Sequence, residues 1–210
     1  QIFQRRLLIL TDGYCIIWDF IKGEIEHDFD CLYHPVGCYE LSEGELIEKT
    51  DRFSMDPYGA GQFVTNCSWY QVNGTAHLHF DNNKSKLPAR GELASSDFCD
   101  IYRAYPQEGE VIVGKYPEPE YTFTDEDIKN NKEDMKTSMK KTVSFRVHGK
   151  EARYITLIET GQSKGQIDRV TALSYNKVKI EYKNGSIREF IVDGMDDPDK
   201  KNIEVRCLTP

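Results

Sequence analysis

The stretch Tyr14-Cys15-Ile16-Ile17-Trp18-Asp19-Phe20-Ile21 decides how this chain is read. Its aromatic and β-branched residues favour extended backbone. Apolar side chains fall on both alternating faces, so the strand belongs in a sheet interior, covered on each side. Asp19 is the exception. A carboxylate there must be partly buried and hydrogen-bonded to backbone N–H groups or a basic side chain, because an unpaired buried charge is costly. Trp18 is expected in the core.

Strand character spreads outward from this point. Residues 7–10 precede it across Asp12-Gly13, and a DG pair predicts a type I′ hairpin. Residues 25–33 follow, with Ile25, His27, Phe29, Cys31 and Tyr33 on one face and Glu26, Asp28, Asp30 and Leu32 on the other. Further runs are expected at 62–72, 75–80, 98–105, 110–115, 142–147, 153–159, 169–175, 178–182, 187–192 and 203–208. Asn73-Gly74 and Asn184-Gly185 predict two more hairpins. Many short strands with almost no helix predict an all-β fold, an antiparallel β-sandwich rather than a closed barrel. Residues 1–210 are read as one sandwich region. Residues 124–141 are the one helical candidate, with Thr124 as cap, and their apolar stripe of Ile128, Met135 and Met139 is thin enough for a mobile insertion instead.

The chain has 210 residues, 39% of them hydrophobic and 30% charged, which is globular composition. The longest apolar run, Tyr14 to Trp18, is far short of the ~20 residues of a membrane-spanning helix. A net charge of −8 argues against a general nucleic-acid binder. The opening Gln1-Ile2-Phe3-Gln4-Arg5-Arg6 does not look like a natural start, so the chain is read as a fragment of a larger protein. Six cysteines without a CxxC pair are expected to be mainly buried free thiols.

Few residues suggest chemistry. His77, His79 and Asp81 alternate on one strand face. A metal could take His77 and His79 with a third group from a neighbouring strand, but a solvated polar face is the favoured reading. His27 is expected as a core or interface histidine satisfied by a hydrogen bond, His34 as exposed, and His148 in a turn. Gly59-Ala60-Gly61 is no phosphate loop, since no helix or Lys follows in the required place. Trp69 and Tyr70, adjacent on a strand, face opposite sides. One can be core while the other stacks on a sugar ring or a neighbouring domain, which makes them the candidate substrate-binding residues.

The run Arg5-Arg6-Leu7-Leu8-Ile9-Leu10-Thr11-Asp12-Gly13-Tyr14-Cys15-Ile16-Ile17-Trp18-Asp19, followed by Gly23, His27 and His34-Pro35, resembles the sandwich of the heparinase II/III-like polysaccharide lyases. The resemblance is detailed over roughly the first fifth of the chain. It implies a C-terminal β-sandwich region following an N-terminal helical toroid domain, with β-elimination at a uronic acid in the cleft between them. It also implies an acidic polysaccharide as partner of the parent enzyme and a periplasmic or extracellular location. The family's catalytic residues and metal-linked histidines have no matching positions here, so no catalytic residue, cofactor or metal is assigned. A free-standing carbohydrate-binding or adhesion module is the alternative.

Overall fold

The structure, a computed structural model, describes residues 2–35, 38–55, 60–81, 96–116, 141–162 and 165–209. Thirteen strands and one short 3₁₀ turn, Ala60–Phe63, make up the described residues, with no α-helix among them. The antiparallel all-β expectation holds: the sheets curl into a sandwich that is partly a half-barrel. Residues 124–140 of the helical candidate lie outside the described residues, and Lys141 opens a strand.

Two long strands form the spine. β2 (Tyr14–Tyr33) and β9 (Lys141–Gly161) pair antiparallel from Tyr14 opposite Glu159 to Tyr33 opposite Val143. The sequence breaks each of them in two, at Lys22-Gly23-Glu24 and at Gly149-Lys150-Glu151. The backbone instead runs through on a bulge. Lys22 pairs with Glu151 and His27 with Gly149, so Gly23 to Glu26 stand opposite Lys150 alone. The extra residues bend the strand, as bulges do, and leave Ile25 exposed out of its expected row.

β1 (Ile2–Leu10) lies along the first half of β2. On the other edge of β9, β8 (Glu108–Lys115) takes the first half and β7 (Phe98–Tyr105) the second. β6 (Ala76–Asp81) and β3 (Cys38–Leu41) extend the sheet beyond β7, and β5 (Thr65–Asn73) and β4 (Glu45–Arg52) extend it beyond β8. A second sheet has the order β10 (Ile167–Ser174), β11 (Lys177–Tyr182), β12 (Ile187–Asp193), β13 (Glu204–Leu208).

The turn expectations need correction. Gly13, Gly74 and Gly185 have φ of 105°, 108° and 83°, but Asp12, Asn73 and Asn184 are not left-handed, so none of the turns is type I′. At Asn184-Gly185 the Gly185 N–H donates to Tyr182 O and the Tyr182 N–H to Ser186 O, a three-residue hairpin loop with glycine in the bulge position. Asn73-Gly74 is no hairpin at all, because β5 and β6 sit on opposite flanks of the large sheet. β3 and β4 escape the sequence reading for different reasons: β3 is only four residues long, and β4 does not alternate, being charged and almost wholly exposed, as an edge strand should be.

Two cores result. Tyr14, Ile16, Trp18 and Phe20 of β2 pack with Ile155 and Leu157 against Val170, Val178, Ile180, Phe190 and Val192 of the second sheet. On the opposite face, curled β2, β5, β6, β7, β8 and β9 enclose Phe29, Val72, Leu78, Phe80, Ile101, Val111, Phe145 and Tyr154. The 14–21 stretch therefore has a layer on each side, and Ile17 and Asp19 are buried as well. Asp19 meets Arg6, its cross-strand partner, at 2.6 and 3.0 Å.

Candidate functional site

Pairing of β6 with β7 sets His77 opposite Tyr102, His79 opposite Asp100 and Asp81 opposite Phe98. Ala76, Leu78 and Phe80 take the interior, so the histidine row lies on the outer face. His77 Nε2 and His79 Nδ1 both address Asp100 Oδ1, at 2.9 and 2.8 Å. Each imidazole also rests on an aromatic ring: His77 stacks on Tyr102 with centroids 4.2 Å apart, and His79 lies parallel to Phe98 at 6.3 Å. Burial pushes the Asp100 carboxyl up, but the two imidazole hydrogen bonds outweigh it and hold the pKa below its ordinary value.

The polar row continues across β9, where Asp100 faces Glu159. Two buried carboxylates side by side need separate partners. Glu159 finds them in the backbone N–H groups of Gln166 and Ile167, where the chain enters the second sheet. Burial still raises the Glu159 pKa against those hydrogen bonds. A pocket of about 520 Å³ opens above this row. Asp81, Asp97, Asp168 and Lys183 stand on its walls, and Lys183 donates to Gly165 O at 2.6 Å. Asp100 Oδ1 takes the facing nitrogen of each ring, which leaves His77 Nδ1 and His79 Nε2 outside these bonds. The site can thus orient imidazoles and receive hydrogen-bond donors.

For the metal alternative, β7 does bring a third group to His77 and His79, but Asp100 serves as a shared hydrogen-bond acceptor. No group of three or more His, Cys, Asp or Glu arranged to hold a metal ion is found among the described residues.

Trp69 and Tyr70 do face opposite sides. Tyr70 packs against the half-barrel core, its hydroxyl 3.2 Å from that of Tyr39. Trp69 lies on the outer face, parallel to Phe53 with centroids 6.0 Å apart, its indole N–H donating to Thr50 Oγ1 at 2.8 Å. The Arg146 guanidinium lies 5.1 Å from the Trp69 ring, fixed by Asp30 through bonds of 2.9 and 2.8 Å. Trp69 and Arg146 border a second open pocket of about 590 Å³ with Asp28, Glu48, Glu108 and Glu110.

The other histidines are peripheral. His27, expected as a core or interface histidine, is half-buried and meets Phe29 edge-on at 5.8 Å, with no hydrogen bond to its ring among the described residues. His34 is exposed, as expected, with Nδ1 3.2 Å from Thr142 Oγ1. His148 pairs with Asp28 at 2.9 Å from within β9 rather than from a turn. Cys15, Cys31, Cys67, Cys99 and Cys207 are free thiols, and burial pushes Cys31 and Cys99 up to about 12.

Asp100, Glu159 and Arg146 are the site residues that sequence reading misses. Phe98, Asp100 and Tyr102 do alternate on one strand, and that signal could have exposed the first. No family model matches the chain, and no curated protein matches it. No helix among the described residues is long and apolar enough to cross a membrane.

Proposed function

We propose that this chain is the C-terminal β-sandwich region of a heparinase II/III-like lyase that cleaves uronic-acid-containing polysaccharide by β-elimination, and that the region supports the cleft without itself performing catalysis. The observation that carries the reading is the build of the β1–β2 hairpin. The segment that carries the family resemblance folds as one continuous unit, and its charged ends, Arg6 and Asp19, clamp each other. His27 and His34 follow on the extension of β2 and at its end. The partners are then an N-terminal helical toroid of the same parent and, through the parent, an acidic polysaccharide outside the cytoplasm. Electrostatics favour a supporting role. Each open pocket carries four carboxylates against a single Lys or Arg, an excess that repels a polyanion.

A second reading, a free-standing carbohydrate-binding module, is favoured by the acceptor-rich pocket at His77, Asp100 and His79, which suits the hydroxyls of an uncharged glycan. Affinity electrophoresis separates the two. The chain is run through gels containing heparan sulfate, chondroitin, alginate, xylan or β-glucan. Mobility unchanged in every gel supports the lyase-region reading. Retardation by a neutral glycan that disappears in His79→Ala supports the module.

A further inference from the structure

Arg103 is the largest fully buried side chain, with 0% relative exposure, inside the half-barrel core. Its guanidinium is poorly provided for. Nη2 reaches Val72 O at 3.5 Å, and the Phe145 ring centroid lies 5.7 Å from Cζ. Nε and Nη1 have no hydrogen-bond partner among the described residues. No ion pair to Arg103 is found among them either. Burial lowers its pKa to about 10, which leaves it charged at neutral pH.

The cross-strand partner of Arg103 in the β7–β9 register, Thr156, is on the same face and equally buried. The Thr156 hydroxyl lies against that of Tyr33 and does not serve the guanidinium. Buried polar groups are nearly always satisfied, and a lone buried cation is costly. A buried guanidinium with two unpartnered nitrogens is the donor set of a small anion. A neutral water could satisfy the hydrogen bonds but would leave the charge uncompensated.

We infer that Arg103 holds a buried monovalent inorganic anion of chloride size inside the half-barrel. The anion accepts from Nε–H or Nη1–H. It is a structural ligand, binding the folded chain and not the unfolded one.

Thermal unfolding is measured while sodium chloride replaces sodium gluconate at constant ionic strength, gluconate being too large for the site. Binding to the folded state alone raises Tm with chloride concentration, by about 5–10 °C at a hundred dissociation constants. Arg103→Met should abolish the dependence. Since Arg103→Met can fail to fold, crystals of the unaltered protein grown in sodium bromide give an independent readout. An anomalous peak within hydrogen-bonding distance of Nε or Nη1 is expected. A Tm that ignores the exchange, or a bromide-grown crystal with only water beside Arg103, overturns the inference.

Discussion

Arg6 and Asp19 are cross-strand partners whose exposures differ sharply: the carboxylate side chain is 1% exposed and the guanidinium side chain 46%. Cys31 adds a weak thiol contact to Asp19 Oδ2 at 3.6 Å. The two ends of the bond are therefore not equivalent. Asp19→Ala lets Arg6 turn to water and should cost about 1–3 kcal/mol. Arg6→Ala strands a buried carboxylate and should cost more, about 3 kcal/mol. Urea unfolding of both variants checks the order. A milder loss for Arg6→Ala would mean that water reaches Asp19.

Ile17 stands on the same face of β2 as Asp19, 7% exposed, opposite Leu8 of β1, which is 55% exposed. Ile17→Ala should cost about 2–5 kcal/mol by opening a cavity. Leu8→Ala should stay within about 0.5–1 kcal/mol, since little apolar surface leaves the interior. Similar losses for both would contradict the central placement of β2.

Asp100 and Glu159 should give opposite pH dependences. The folded pKa of Asp100 lies below its unfolded value of ~3.9, so its stabilisation is full above that value and is lost as pH falls through the folded pKa. The folded pKa of Glu159 lies above its unfolded value of ~4.3, so its contribution is full below that value and is lost as pH rises through the folded pKa. Together they favour the folded state most near pH ~4. Urea midpoints between pH 2.5 and 7 are compared for the wild type, Asp100→Asn and Glu159→Gln. The first variant should flatten the acid limb and the second the limb above pH ~4.3. Wild-type profiles in both variants would rule out this pairing of roles.

Arg146 ties Asp30 to the rings of Trp69 and Phe53. Arg146→Ala should cost about 1–3 kcal/mol through the lost ion pair and ring contact. It should also expose the indole. In a Trp18→Phe background, where Trp69 alone emits, a red-shifted spectrum and faster acrylamide quenching are expected. An unchanged spectrum would show that other groups cover Trp69.

The fold is legible where a strand has one wet face and one dry face. β6 and β11 alternate cleanly, and β7 begins and ends at the residues that the apolar run marks. The doubly covered 14–21 strand is legible from its lack of alternation. Strand continuity through Gly23 and Gly149 is not, because glycine at a bulge and glycine at a turn look alike in sequence. Nor does Asn73-Gly74 reveal that it joins strands on opposite flanks, since a turn residue fixes local backbone and not strand pairing. Of the candidate site, the His77–His79 row is visible. Asp100, 21 residues beyond His79, arrives only through pairing of β6 with β7. Arg146, far beyond Trp69 in the chain, arrives through the β5–β8–β9 order.

The division of labour proposed for the parent lyase is tested most directly by following unsaturated uronate formation at 235 nm. The full-length parent and this chain alone are assayed side by side on heparan sulfate, chondroitin, hyaluronan and alginate. Steady turnover by the parent on at least one polymer, with a flat trace for the chain on all four, is the expected result. Turnover by the chain alone, or a parent inert on every polymer, would contradict the proposal.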